Sequence, residues 1–367
     1  MRKISEIKFC CLIVIALFSA TASFAQAPQT AKQAETWINP VFDTDFPDPT
    51  VVRVGDGYFY AYATQAVVNG KLHHIQVARS KDLIRWERMA DALPEKPVWA
   101  DKFEPKFWAP HVSVADGKYL MYYSADPNTQ KGLCLAVAVA DAPGGPFVDS
   151  GKPLKCGTSF INIDPMAFDD PKTGRKFLYW GSGFEPIKVQ ELAANRTEFA
   201  LNSESVDVVF PIKNKDPNNY ERLIEGVWVT YRKGFYYLFY SGDNCCGDKA
   251  HYAVMVARSR SATEKFETLA AATGKTNSVI LEKNDEWLAP GHNSVITDDK
   301  GDEWIFYHAI NTKKRNVEKD ETIGGDRDVR RVMLMNRLVY KNGWVYAEGG
   351  TPTLSSKKFP KIRRRNN

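Results

Sequence analysis

A short aromatic run behind a glycine recurs five times along this chain, and that repeat restricts the fold more than any other feature. The copies are Asp56-Gly57-Tyr58-Phe59-Tyr60-Ala61-Tyr62-Ala63, Asp116-Gly117-Lys118-Tyr119-Leu120-Met121-Tyr122-Tyr123-Ser124, Gly174-Arg175-Lys176-Phe177-Leu178-Tyr179-Trp180-Gly181-Ser182, Gly234 to Ser241, and Gly301-Asp302-Glu303-Trp304-Ile305-Phe306-Tyr307-His308-Ala309. Their glycines stand roughly 60 residues apart, a period that accommodates four strands and their loops. After most copies comes another β-rich run: Ile75 to Ser80, Leu135 to Val139, Tyr252 to Ser259. Aromatic and β-branched residues favour strands, and helical periodicity is almost absent. The expectation is an all-β chain folded as a five-bladed β-propeller. A large β-sandwich with coincidentally similar turns is the alternative.

The fourth copy belongs to a hairpin from Leu223 to Gly242, with a basic turn closed by Gly234. Glu225 stands at its start beside Gly226. Similar settings hold Asp48, in Phe46-Pro47-Asp48-Pro49, and Asp164, in Ile163-Asp164-Pro165. A proline excludes the residue before it from helical geometry, so each aspartate sits in a stiff, extended lead. The fifth blade has His292 after Pro290-Gly291, and the second opens on Phe107-Trp108-Ala109-Pro110. That aromatic pair could line a pocket or plug the blade top. In a propeller, residues at one point of successive blades converge on one mouth of the central channel. Asp48, Asp164, Glu225 and His292 are therefore expected to meet in one cavity.

The flanks and composition narrow the setting. Arg2, Lys3 and Lys8 precede an apolar run from Cys10 to Ala20, and Ser23-Phe24-Ala25 places small residues where a signal peptidase reads. Residues 1–25 are expected to be a signal peptide and 26–367 a single catalytic propeller, with Gln26 as the mature N-terminus. The cysteines Cys10 and Cys11 begin the apolar run rather than follow it, which argues against lipid attachment. The mature protein is expected to be secreted or periplasmic, monomeric and free of the membrane. Removing the leader takes the formal charge from +5 to about +3, too little to imply a nucleic-acid partner. The basic residues Lys361 and Arg363 to Arg365 read as a solvated end. An aromatic content of 12%, with nine Trp and sixteen Tyr, exceeds what a propeller core needs and suits stacking on sugar rings. Cys134, Cys156, Cys245 and Cys246 remain after the leader. Export permits disulfides, but spacing does not give connectivity. Cys245-Cys246 could be a vicinal disulfide, two thiols, or half of two bridges. Zinc is not expected, for want of clustered ligands, and His73-His74 reads as a surface loop pair.

Two carboxylates across a shallow pocket suit glycoside hydrolysis. One protonates the leaving oxygen, while the other deprotonates water or attacks the anomeric carbon. A third carboxylate beside the acid raises its pKa by like-charge repulsion and keeps it protonated.

These motifs, one per blade and in order, resemble glycoside hydrolase family 43, five-bladed propellers that include α-L-arabinofuranosidases, arabinanases and β-xylosidases. The resemblance covers essentially all of the mature chain. It implies that Asp48 is the general base, Glu225 the general acid, and Asp164 the residue that tunes and orients the acid. The family inverts anomeric configuration, so the base and acid carboxyls are expected roughly 6.5–9.5 Å apart. His292 matches an axial histidine that in several members lies by a channel ion such as calcium. Imidazole is a poor calcium ligand, so any contact is expected to run through water, and no cofactor is expected to be required. Arg331 resembles a last-blade arginine that reaches the site, although Arg330 or Arg327 could take its place. Trp108, His292 and Arg331 are expected to bind substrate. Two departures, Asn336 for a common acidic residue and Trp344-Val345 for Trp-Pro, put local closure in doubt. The implied activity is hydrolysis of arabinose-containing plant polysaccharide or oligosaccharide. A β-xylosidase or a glycosidase for another sugar such as galactofuranose is the alternative. A silent sugar-binding propeller is a third reading, and the three intact carboxylates argue against it. The loops from Pro211 to Tyr220 and from Asn311 to Arg327 could wall one end of the pocket.

Overall fold

The computed structural model describes residues 36–363, apart from 102–105, 129–131, 214–215, 217 and 318–328. The expected signal peptide, Gln26 and Arg327 lie outside the described residues, and the two candidate pocket loops lie partly outside them.

Five antiparallel sheets follow one another along the chain. Blade 1 pairs Thr50–Arg53, Phe59–Ala63, Gln76–Ser80 and Glu87–Arg88 in that order. Blade 2 runs Phe107–Ala115, Lys118–Ala125, Cys134–Ala140 and Val148–Asp149, with Lys155–Cys156 added against its third strand. Blade 3 comprises Met166–Asp169, Lys176–Trp180, Ile187–Glu191 and Val206–Val209. Blade 4 comprises Ile224–Arg232, Phe235–Asn244, His251–Ser259 and Glu267–Thr268, with Val279–Leu281 against the third strand. Blade 5 comprises Trp287–Thr297, Glu303–Asn311, Val332–Lys341 and Trp344–Ala347. The fold is the expected five-bladed propeller. The glycine repeat marks the turn into each second strand. In blades 2 and 4 the loop is two residues, Asp116-Gly117 and Lys233-Gly234, all at positive φ. Only such loops match the twist of a tight hairpin, which is why glycine recurs there.

The aromatic strands do their packing between blades. Trp180, Trp287, Trp304, Tyr62, Tyr122, Tyr179, Tyr236 and Tyr307 are among the largest fully buried side chains. One cluster joins blades 3, 4 and 5, a second joins blades 1 and 2, a third joins blades 5 and 1, and a fourth joins blades 2 and 3. Since each blade packs on its neighbours, the ring positions the five inner strands.

Closure uses the N-terminal segment. Trp37–Ile38 pairs with Ser355–Ser356, and Phe42 exchanges main-chain hydrogen bonds with Met333 at 3.2 and 3.3 Å. Asn39 accepts from Met335 N at 3.0 Å and donates to the carbonyls of Met335 and Thr353, at 2.9 and 2.7 Å. The free edge is thus covered. Asn336, expected to weaken this region, instead pins it. It is fully buried, accepts from the Tyr307 hydroxyl and Thr353 N, and donates to the carbonyls of Glu348 and Thr351. An amide can donate twice and accept twice, whereas an ionised carboxylate only accepts. Trp344 and Val345 are buried in the core as well.

Cys134 is bonded to Cys156 within blade 2, and Cys245 to its neighbour Cys246. His73 and His74 are not a free surface pair. His73 is 8% exposed, and His74 sits 2.7 Å from Leu93 O against the Phe107 ring.

Candidate active site

Every inner strand has a left-handed residue at the matching point of its start, Asp48 (φ 57°), Ala109 (47°), Asp164 (60°), Gly226 (62°) and His292 (48°), and blade 5 carries a second one, Ala289 (49°). This fivefold mark sets the register of the site. It places Gly226, rather than Glu225, in phase with Asp48, Asp164 and His292. Glu225 stands one residue earlier, the position that Trp108 holds in blade 2. Four of these five positions hold residues other than glycine, so the left-handed φ does not by itself demand Gly226; an added Cβ there would lie 3.2 Å from His292 Nδ1, a tight contact that glycine relieves.

Asp48, Asp164 and Glu225 converge, and His292 lies between the two aspartates. His292 Nδ1 is 3.6 Å from Asp48 Oδ1 and 3.6 Å from Asp164 Oδ2. Asp48 is 7% exposed. Its Oδ2 accepts from the Thr64 hydroxyl at 2.5 Å and its Oδ1 from Arg331 Nη1 at 3.1 Å. Burial alone would raise this carboxyl, but the Arg331 guanidinium beside it outweighs burial. Asp48 is held well below the usual carboxylate range. Arg331 is itself fixed by its main chain, whose N–H donates to Asp45 Oδ1 and whose carbonyl accepts from Phe46 N. Arg330 points elsewhere, to Asp43 at 2.7 Å, so of the two described arginines Arg331 is the one that reaches the site.

The surroundings of Glu225 are built differently. Glu225 Oε2 accepts from the Ser182 hydroxyl at 2.6 Å, and Oε1 from the Tyr252 hydroxyl at 2.9 Å. Burial holds its pKa above the usual range; the two hydroxyls pull it down without cancelling that effect, and the Asp48 charge adds to it. Asp164, 5% exposed, accepts from Gly226 N at 3.0 Å. Burial, then the negative charges of Glu225 and Asp48, push it well up. The two acidic groups titrate as a linked pair, so the charge on one favours the proton on the other. Burial also lowers His292, and it lowers His308 to about 4, so both imidazoles are neutral at neutral pH.

Trp108 is partly exposed at the start of the blade 2 inner strand, in register with Ser124. Two residues beyond the left-handed positions, His111 of blade 2 meets Trp228 of blade 4 with ring centroids 5.2 Å apart, which narrows the channel. Among the described residues, no group of three or more His, Cys, Asp or Glu side chains is arranged to hold a metal ion. The Asp48 carboxylate is balanced by the Arg331 guanidinium.

Sequence reasoning missed Thr64, Ser182, Tyr252 and His308. A signal existed. The repeat copies end on Ser124, Ser182, Ser241 and His308 after their aromatic runs, and Thr64 follows the first copy.

Sequence comparisons agree with this geometry. Residues 37–345 match the family described as Glycosyl hydrolases family 43. A relative from Emericella nidulans, named probable arabinan endo-1,5-alpha-L-arabinosidase D, is 28% identical, covering 81% of this chain and 78% of that protein. An extracellular endo-alpha-(1->5)-L-arabinanase 1 from Bacillus subtilis is 26% identical, covering 81% of this chain and 86% of its own. The crystal structure of a thermostable family-43 glycoside hydrolase superposes with a TM-score of 0.69 at 26% identity, covering 89% of this chain and all of that one. The match spans all five blades and every carboxylate of the site, and the chain belongs to glycosyl hydrolases family 43, a glycoside hydrolase.

Proposed function

We propose that this enzyme cleaves α-1,5-linked L-arabinan with inversion, using Asp48 as general base, Glu225 as general acid and Asp164 to tune and orient the acid. The observation that carries the reading is the opposite setting of two buried carboxyls in one cavity, Asp48 held low and Glu225 held high. The first is thereby set toward taking a proton and the second toward giving one. Asp48, anchored by Thr64 and Arg331, deprotonates water on one face of the sugar. Glu225, still protonated, delivers its proton to the glycosidic oxygen as the bond to the anomeric carbon breaks. Water supplies the new C–O bond from the opposite face, hence inversion. His292 and Arg331, lining the floor, and Trp108, at the rim, are the proposed substrate contacts.

The sugar is taken from the two relatives named as acting on arabinan. The Bacillus subtilis relative is named extracellular, and residues 1–25 carry the leader pattern. We therefore place the enzyme outside the cytoplasm, as a monomeric mature chain from Gln26, acting on polysaccharide without a required cofactor. Mass measurement of the exported protein tests that boundary. Linear arabinan, an aryl α-L-arabinofuranoside and an aryl β-D-xyloside, assayed together, test the reaction. Internal cleavage of arabinan with the β-anomer released first, seen by NMR, is the expected result. Turnover of the xyloside alone would transfer the reading to a xylosidase, and silence on all three would count against hydrolysis of these sugars.

A further inference from the structure

Each second strand ends in a polar side chain that reaches forward into the next blade. Four of these fasten the N–H of the left-handed residue there. Thr64 accepts from Ala109 at 2.8 Å, Ser124 from Asp164 at 3.1 Å, Ser241 from His292 at 2.8 Å, and His308 from Asp48 at 3.1 Å. Ser182 alone is diverted, to the Glu225 carboxyl. The other side chains of the set are hydroxyls. At the junction of blades 5 and 1 an imidazole with no exposed surface takes that place, and the residue it holds is Asp48.

A neutral imidazole has one ring proton. Since His308 Nδ1 accepts from the Asp48 main chain, that proton sits on Nε2, which meets no acceptor among the described residues. Nδ1 also lies 3.2 Å from Asp48 Oδ1, to which it then gives nothing. Thr64 accepts from Ala109, so its single proton points at Asp48 Oδ2. Oδ2 is thereby anchored, and Oδ1, with Arg331 as its donor, keeps a free lone pair for water. The His308 ring is locked in turn. It stacks on Tyr252 at 5.8 Å with planes 5° apart, and Tyr252 carries the hydroxyl bound to Glu225. An added Cβ at Gly291 would lie 2.0 Å from the Tyr252 ring, so glycine is what admits this stack. The charged or titratable groups facing His308 are Asp48, Arg331, His292 and Tyr252.

We propose that His308 is the positioning residue of the base. It holds Asp48 in its left-handed conformation and aims Oδ1 at the water, acting through Asp48 and not on the sugar. This rests on the reading of Asp48 as the general base.

The test compares His308→Ala, His308→Leu and His308→Asn, whose amide oxygen can accept where Nδ1 did. Ala and Leu should lower kcat about 10²-fold, the scale of a slightly misplaced reacting group, while KM stays within about threefold. Asn should recover kcat to within about tenfold of the wild type. An activated aryl leaving group should rescue Glu225→Gln but not His308→Ala, because it removes the need for an acid and leaves the need for a base. If the Ala variant does not fold, the Leu and Asn pair decides by the same criteria. Wild-type kcat in a folded Ala or Leu variant, a defect confined to KM, or rescue by the activated leaving group would overturn the proposal. Asp48→Asn separates the two claims. Wild-type turnover there removes the base reading itself, whereas an inactive Asp48→Asn beside a fully active His308→Leu removes only this inference.

Discussion

The two halves of the site bury their carboxyls alike and set them in opposite directions. On the base side, Asp48 faces a guanidinium at 3.1 Å. On the acid side, Glu225 faces two neutral hydroxyls and shares its cavity with Asp164. Desolvation raises both carboxyls. What differs is whether the nearest donor carries a full charge: a guanidinium outweighs desolvation, while hydroxyls only offset part of it. Burial acts on both carboxyls, and the donors around each decide whether it prevails.

Removing either carboxyl is the largest break in that comparison. Asp48→Asn and Glu225→Gln should each reduce turnover by about 10²- to 10⁴-fold, the range for general acid–base catalysis. Their response to the leaving group should differ, as an activated aryl leaving group compensates only for Glu225→Gln. Equal rescue of both would erase the distinction between the two sides. Next in size is Arg331→Met. With the guanidinium gone, desolvation governs Asp48 and its pKa rises. The base must be ionised to act, so the acidic limb of kcat/KM should move to higher pH, by about one unit or more, or tenfold in rate at a pH below the limb. An unmoved acidic limb would show that Arg331 does not set Asp48.

How much of this was legible beforehand follows from where the information lies. The blades were readable because each glycine turn is a local demand of the backbone, repeated in phase. Asp48, Asp164 and Glu225 were readable because prolines and a glycine single them out, but the two aspartates lie in the left-handed region rather than the extended lead expected from the proline that follows each. The register of Glu225 was not readable, since a one-residue offset depends on which residue takes the left-handed position. Arg331 and Arg330 looked alike in sequence; only the clasp of Asp45 and Phe46 on the main chain separates them. Ser182 and His308 act across blade boundaries, and Thr64 and Tyr252 across the strands of their own blade, so the partners lie 43, 260, 16 and 27 residues away. No window on the chain holds such a pair. Asn336 ran against expectation for the same reason: its four partners come from two separate segments, Tyr307 and the stretch from Glu348 to Thr353.

A smaller effect should come from Asp164→Asn. The linked pair loses one negative charge, so Glu225 gives up its proton more readily and the basic limb of kcat/KM should move to lower pH. An unaltered basic limb would count against the tuning role of Asp164.

The smallest effect sharpens the comparison most, because its sign is opposite. The hydroxyls of Ser182 and Tyr252 favour the ionised form of Glu225. Taking one away should raise the Glu225 pKa and move the basic limb to higher pH, against the direction of Asp164→Asn. A hydrogen bond of this kind contributes about 0.5–1.5 kcal/mol net, which corresponds to roughly half a unit to one unit. Ser182→Ala tests the first donor without touching the ring stack. Tyr252→Phe tests the second and keeps the aromatic face against His308. Each should leave kcat at neutral pH within about tenfold of the wild type, since losing one donor favours the protonated form of Glu225. A downward shift in either variant would mean that the hydroxyls hold the protonated acid, and that the acid side is set by its donors in the same manner as the base side.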